Sequence, residues 1–230
     1  MKISSHIIFW VLPVAVCAAL LGLYLSEIPV LMALTAPEFN REFGLLENFQ
    51  NLLLLGILGC AFYGAKGSID WLARSLFGFV AAGAVFVLLE ELDYGTHHWW
   101  WINGWDMATR PGFNIHNQGD NSDLMKDTSD ILLVLMFLVF PWLGRKSDNV
   151  WIRYFRPSRL FNLSLIASML FADVAHYIGD HHPPQNHYLA PNIGEFRELF
   201  TYYIWFLYIG TLTLYRAWPG GREVDTQSSP

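Results

Sequence analysis

The chain has few charged residues: Asp, Glu, Lys and Arg together make up 15% of its 230 residues. In soluble domains these four residue types contribute about a quarter of the sequence. Hydrophobic residues reach 53% instead, and the mean hydropathy is +0.31. This composition excludes an ordinary soluble domain and indicates a chain that resides in a lipid bilayer.

Cysteines and runs of basic residues are scarce as well. The sequence has two cysteines, Cys17 and Cys60, which form no C-x-x-C pair and lie in apolar stretches. A disulfide scaffold and a zinc knuckle are therefore excluded. The net charge is −6 and no long basic run occurs, so we expect no nucleic acid among the partners of this protein.

Long apolar runs, by contrast, are plentiful. Each has about 20 residues, which as an α-helix crosses the ~30 Å of hydrocarbon in a bilayer. The predicted fold class is all-α: a polytopic membrane helix bundle with one transmembrane domain over residues 1–218 and a disordered tail over 219–230. The six predicted spans are about 7–26, 46–65, 74–93, 129–144, 158–178 and 197–216, with a long outer loop at 94–128.

The basic residues predict the orientation of the bundle. All but four of the 14 Lys and Arg residues fall on one side of the predicted membrane, with five of them in segment 145–159. Because Lys and Arg collect on the cytoplasmic side, we expect a multi-pass protein of the inner membrane with both termini in the cytoplasm. An even number of spans agrees with this placement.

The opposite, outer side collects the other ionisable residues. All but four of the 20 carboxylates and every histidine except His6 fall there. The positive-inside rule concerns Lys and Arg, so it does not account for this bias. We expect the outer face to use these groups.

Several polar residues lie inside or next to the apolar spans. A charged side chain costs at least ~2.5 kcal/mol at mid-bilayer unless it is paired, so such residues usually face the interior of the bundle. The alternative is that each side chain reaches toward the headgroups or forms an isolated hydrogen bond. The residues are Glu47, Gln50 and Asn51 at the start of the second span, Glu90, Glu91, Asp93 and His97 at the end of the third, and Asp173 and His176 at the end of the fifth.

These residue types suit a metal site with an adjacent base. Carboxylates from several helices together with one acid-x-x-His pair partly match a dinuclear carboxylate site, and a mononuclear zinc hydrolase is the other option. Mixed His and carboxylate ligands suit Zn, Fe or Mn. Glu90 and Glu91 are the predicted catalytic residues. The predicted ligands are Glu47, Glu90, Asp93, Asp173 and His176, with Gln50, Asn51, His97, Gln118 and Asp120 supporting them or forming a lid.

Two further acids, Glu195 and Glu198, open the sixth span. Acids in the first turn of a helix interact favourably with its dipole, so we interpret this pair as structural. The loop over 94–128 is rich in Trp at its start, where we expect it to lie at the interface, and its remainder is predicted to fold back over the polar residues.

Two short motifs resemble a known pattern. The sequence EELDYG at 90–95, followed by QGDN at 118–121, is similar to Glu-Glu-apolar-x-Trp-Gly-Gln and Gln-Gly-Glu-x-Asn in uncharacterised bacterial polytopic membrane proteins. This chain differs by Tyr94 for Trp, Thr96 for Gln and Asp120 for Glu. The resemblance covers just under half of the chain and implies an outer polar site without specifying its chemistry.

Two functions follow as alternatives. The first is a metal-dependent enzyme of the inner membrane whose outward-facing carboxylate and His site acts on a lipid or other membrane-soluble substrate. The second is a non-enzymatic accessory subunit or permease-like protein whose buried carboxylates bind a cation or proton or pair with helices. We find no inverted repeat in the sequence, which disfavours a transporter. The expected partners are the bilayer, a lipid substrate or another membrane subunit.

Overall fold

The structure is a computed structural model that describes residues 5–35, 37, 43–68, 70–106, 128–181, 189, 192–214, 216 and 219. Across these ranges every regular element is a helix and no strand occurs, which confirms the predicted all-α class. In chain order the helices are α1 (Ile7–Tyr24), α2 (Pro29–Thr35), α3 (Leu45–Gly67), α4 (Trp71–Glu91), α5 (Thr96–Ile102), α6 (Thr128–Lys146), α7 (Val150–Phe155), α8 (Leu160–His181) and α9 (Ile193–Leu214).

Within the described ranges, five helices are long and apolar enough to cross a membrane: α1, α3, α4, α6 and α8. They identify a multi-pass membrane protein. Large apolar side chains such as Leu52, Phe62 and Phe79 are exposed on these helices, as expected for surfaces that face lipid rather than water. The five helices begin and end within a few residues of the predicted spans.

The predicted sixth span, 197–216, corresponds to α9 (Ile193–Leu214). Its 22 residues would extend about 33 Å at 1.5 Å per residue, enough to cross hydrocarbon. Its composition is more polar than that of the other five helices because it contains Glu195, Arg197, Glu198 and several tyrosines. A sixth crossing therefore stays a prediction.

α9 packs against α3, α8 and α1. Its buried side chains lie in two core clusters, with Phe196 and Phe200 in one and Ile204 and Tyr208 in the other. A helix surrounded by other helices does not need an apolar surface on every face, since protein replaces lipid around it. This position explains how α9 accommodates its polar residues.

Segments predicted as loops contain three short helices, α2, α5 and α7. The first part of the predicted loop 94–128 forms α5 instead of irregular chain, and residues 107–127 lie outside the described ranges. Phe43, just before α3, packs its ring against His98 and Trp101 at centroid distances of 4.9 and 5.8 Å. These contacts hold α5 beside the start of α3. Of the predicted tail, only Pro219 is described.

Candidate functional site

One end of the bundle collects the predicted site residues. The start of α3, the end of α4 and the first half of α9 meet there, joined by hydrogen bonds between their side chains. An ion pair between Asp130 and Arg197 brings the start of α6 to the same end. We call this region the carboxylate end.

α4 ends in a left-handed turn. Asp93, Tyr94 and Gly95 have φ angles of 44°, 54° and 80°. Glycine adopts such angles freely, whereas each non-glycine residue there costs roughly 1 kcal/mol or more. The helix therefore stops at Glu91. In a continuous helix Glu90, Asp93 and His97 would share one face at the spacings i, i+3 and i+7, but the structure breaks the helix after Glu91.

The turn nevertheless buries both Asp93 and His97, whose exposed fractions are 0% and 2%. Asp93 Oδ2 lies 3.4 Å from His97 Nε2. The same oxygen accepts a hydrogen bond of 2.9 Å from the Thr96 hydroxyl, which also donates to the Asp93 backbone carbonyl at 2.8 Å. Thr96 thus holds the Asp93 carboxylate beside the His97 imidazole. A carboxylate in this position stabilises positive charge on the ring.

Glu90 is paired with the second residue of the turn. Its side chain is buried, with an exposed fraction of 2%, and Oε1 accepts a hydrogen bond from the Tyr94 hydroxyl. This hydrogen bond, together with desolvation and the negative charge of Glu90, raises the pKa of Tyr94. Donation to a carboxylate favours the protonated phenol, which explains the direction.

Glu91 points toward α9 and is half-buried. Its Oε1 accepts a hydrogen bond of 2.5 Å from the Tyr202 hydroxyl, a short distance that is typical of a hydroxyl bound to a charged carboxylate. Glu195 and Glu198 also lie near enough to interact electrostatically with this hydroxyl. One carboxylate therefore contacts this phenol, and two others contribute negative charge near it.

Gln50 joins α3 to α9. It is fully buried, and its Nε2 donates to the Glu195 backbone carbonyl at 2.9 Å and to Glu195 Oε2 at 3.1 Å. Glu47, one turn earlier on α3, is buried as well, whereas Asn51 is half-buried. Glu47 and Gln50 thus face the interior of the bundle, as an internal polar site requires.

Two of the predicted metal ligands lie elsewhere. Asp173 and His176 are exposed, because α8 turns the opposite face, with Phe171 and Ala175, into the core. Among the residues that the structure describes, no three His, Cys, Asp or Glu side chains are grouped so that they could hold a metal ion. The five-ligand metal site stays a prediction without support from the arrangement. Gln118 and Asp120 lie outside the described residues.

Sequence reasoning missed four participants: Tyr94, Glu195, Glu198 and Tyr202. The last three are spaced i, i+3 and i+7 on α9, which places them on one face of the helix. That signal was present in the sequence. The interpretation of Glu195 and Glu198 as acids that interact with the helix dipole did not consider Tyr202 on the same face.

The site combines carboxylates, two phenols and an imidazole, all groups that hold and transfer protons. Their arrangement suits acid–base chemistry at the surface of a membrane. No protein-family model, curated protein or solved structure matches this chain.

Proposed function

We propose that this protein is an enzyme of the inner membrane whose outward-facing carboxylate end performs acid–base chemistry on a lipid or another membrane-soluble substrate. The observation that carries the proposal is the buried pair formed by Asp93, in the left-handed turn, and His97, in the helix that follows it. Unfavourable backbone angles at buried ionisable residues are typical of functional sites, because the surrounding structure must maintain them.

In this proposal His97 is the general base, taking a proton from the substrate or from water, and Asp93 stabilises the resulting imidazolium. Glu90 and Glu91 stay at the site as proton acceptors positioned by Tyr94 and Tyr202. Such proton transfer contributes about 10²- to 10⁴-fold to a rate. We favour this mechanism over the metal-dependent one with Zn, Fe or Mn because Asp173 and His176, two of the five predicted ligands, are exposed.

The proposed orientation has six crossings and both termini in the cytoplasm. It is supported by the distribution of Lys and Arg, most of which lie toward the end opposite the carboxylates. The left-handed turn lies within the EELDYG motif at 90–95. We therefore infer that the uncharacterised bacterial proteins that this chain resembles share the turn and the two glutamates of the motif, whereas the contacts of Tyr94 and Thr96 belong to this chain.

A second candidate function is favoured by the hydrogen bonds between helices. Gln50 with Glu195, and Glu91 with Tyr202, join α3, α4 and α9. In this proposal the polar groups stabilise the packing of an accessory subunit, and the partner is another membrane protein. Replacing such groups then changes stability without affecting any chemical reaction.

Lipid turnover distinguishes the two proposals. The purified protein is placed in vesicles of bacterial polar lipids, and mass spectrometry follows the amount of each lipid class over time. We expect one class to be consumed, and H97Q to slow this by about 100-fold or more. The double variant D173N/H176Q, which changes two exposed residues, is the control and retains the rate.

An unchanged lipid composition with the wild-type protein contradicts the enzyme proposal, as does full activity of H97Q. If no lipid is consumed and E91Q lowers the thermal unfolding midpoint, the accessory-subunit proposal is favoured instead.

A further inference from the structure

The end of the bundle opposite the carboxylate end contains a cavity of about 260 Å³. α6 begins at the carboxylate end, where Asp130 pairs with Arg197, and it ends at Lys146. The Tyr154 hydroxyl of α7 donates to the Leu212 carbonyl near the end of α9, which places α7 at this opposite end too. The cavity is lined by Pro141, Arg145, Arg156, Pro157, Ser158 and Arg159.

The charge of the cavity lining is entirely positive, since three of these residues are arginines and none is an acid. In the described part of the chain, no carboxylate forms an ion pair with Arg145, Arg156 or Arg159. The neighbouring acid, Asp148, is exposed. Arg216 lies near enough to Arg156 for the two charges to repel. An anion in the cavity would relieve this repulsion.

Two of the arginines are held in place by other contacts. Arg156 Nη1 donates to the Gly144 carbonyl at 3.0 Å, and a guanidinium has four further N–H donors. The guanidinium carbon of Arg159 lies 4.3 Å from the centre of the Trp142 ring, a cation–π distance. Side chains positioned in advance lose less entropy when a ligand binds.

The start of α8 adds to the positive potential. Ser158 and Arg159, both lining residues, directly precede this helix of 22 residues. The N–H groups of Leu160 and Phe161 already donate to Ser158, so this helix start contributes through the positive end of its dipole, which favours anions. The cavity, the arginines and the helix start all indicate the same ligand chemistry.

The surroundings favour a lipid as the source of the anion. Trp142 and Leu143, which follow the lining residue Pro141 along the chain, are exposed, with exposed fractions of 55% and 77%. Tryptophan at the end of a membrane helix typically lies at headgroup level. The volume is below the range of about 300–1,000 Å³ for pockets that enclose a drug-sized ligand, so it suits a headgroup rather than a whole lipid.

We propose that this cavity binds the phosphate group of an anionic membrane lipid, with Arg145 and Arg159 as its principal ligands. Arginine suits this role because its planar donors match the phosphate oxygens in pairs. Basic pockets between membrane helices bind anionic headgroups in this way. The site lies at the other end of the bundle from Asp93 and His97 and does not depend on the proposed enzyme function.

The test measures lipid binding to the full chain in detergent micelles by native mass spectrometry. Three probes are compared: phosphatidylglycerol, diacylglycerol, which lacks the phosphate, and inorganic phosphate. We expect one phosphatidylglycerol to bind saturably and diacylglycerol not to compete with it. The double variant R145Q/R159Q should weaken phosphatidylglycerol binding at least tenfold.

K146Q/R153Q is the matched control because it removes two positive charges from the same segment without changing a residue of the lining. It should retain binding within twofold. Equal losses in the two double variants, or equal binding of diacylglycerol, overturn the proposal. Binding of inorganic phosphate without phosphatidylglycerol overturns the lipid as the ligand. If the double variant does not fold, R145Q alone replaces it in the test. The contacts of Arg156 with Gly144 and of Arg159 with Trp142 stay intact in this variant.

Discussion

At the scale of single residues, the acids Glu90, Glu91 and Glu195 of the carboxylate end accept hydrogen bonds from neighbouring side chains. Burying an acid without a partner costs several kcal/mol, whereas Glu90 and Glu91 each accept a hydrogen bond from a phenol. Gln50 performs the same role for Glu195. These contacts explain how ionisable groups exist at the ends of apolar helices.

Removing the hydroxyl of Tyr202 should therefore destabilise the bundle. Y202F keeps the ring but removes the hydroxyl that donates to Glu91, and we expect the free energy of unfolding to fall by about 1–3 kcal/mol. Reversible unfolding in mixed micelles measures the change. Y177F is the control because Tyr177 is 63% exposed, and a loss of the same size there would contradict this role of Tyr202.

Tyr94 provides a pH-dependent prediction. Its pKa is raised, first by the hydrogen bond to Glu90. The stabilisation from this contact is therefore present below the usual tyrosine pKa of about 10 and is lost as the pH rises through the raised pKa of the folded state.

E90Q removes the negative charge, so Tyr94 should titrate at lower pH than in the wild-type protein. NMR of tyrosine labelled with ¹³C at Cζ follows this titration, with Y94F assigning the signal. An unchanged titration in E90Q would show that Glu90 does not control this phenol.

The sequence predicted part of this site. The apolar context of Glu47, Gln50 and Glu90 indicated that they face inward, and the structure buries all three. The burial of Asp93 depends on a left-handed turn that helical spacing does not reveal. The i, i+3 spacing of Asp173 and His176 places both on one face of the helix. This spacing does not tell whether that face packs against other helices or is exposed.

At the scale of elements, the close approach of α3 and α9 depends on glycine. A Cβ atom built on Gly64 would lie 2.7 Å from Thr213 Cγ2 and 2.9 Å from the Phe77 ring, and one on Gly56 would lie 2.8 Å from the Phe206 ring. Small residues allow membrane helices to pack with their backbones close together. α3 thus brings Gln50 within reach of Glu195.

G64A should therefore weaken this packing. Inserting a methyl group into a filled contact typically costs about 1–3 kcal/mol, and the thermal unfolding midpoint should fall accordingly. G59A is the control on the same helix, because a Cβ atom there would meet nothing within 4 Å. Equal effects of the two substitutions would contradict the proposed contact.

Helix bounds were predictable because long apolar runs directly reflect the thickness of a bilayer. The three short helices were not, since six or seven residues form no periodic pattern long enough to identify. α9 was predicted as a span like the others. Its central position emerges only from the packing of α1, α3 and α8 around it.

At the scale of the whole molecule, the two ends of the bundle differ in chemistry. Acids, phenols and the imidazole of His97 lie at one end, and a cavity lined by arginines lies at the other. This difference in charge between the two ends is what the positive-inside rule predicts for a protein whose arginine end faces the cytoplasm.

Labelling of single cysteines tests the orientation and the sixth crossing. In a variant with Cys17 and Cys60 replaced by alanine, an impermeant maleimide applied from outside intact cells should label N103C and D180C. D148C and S228C should react only after the membrane is opened. Labelling of S228C from outside would show that α9 does not cross, and protection of N103C would reverse the orientation.

The central claim is that Asp93 and His97 form a working acid–base pair, and the rate of lipid turnover as a function of pH tests it most directly. With the wild-type protein we expect the rate to fall at low pH, where His97 is protonated. D93N should move this fall to lower pH because the imidazolium loses its carboxylate, whereas D173N should leave it in place. A D93N profile that coincides with that of the wild type, or a wild-type protein that turns over no lipid, would contradict the account.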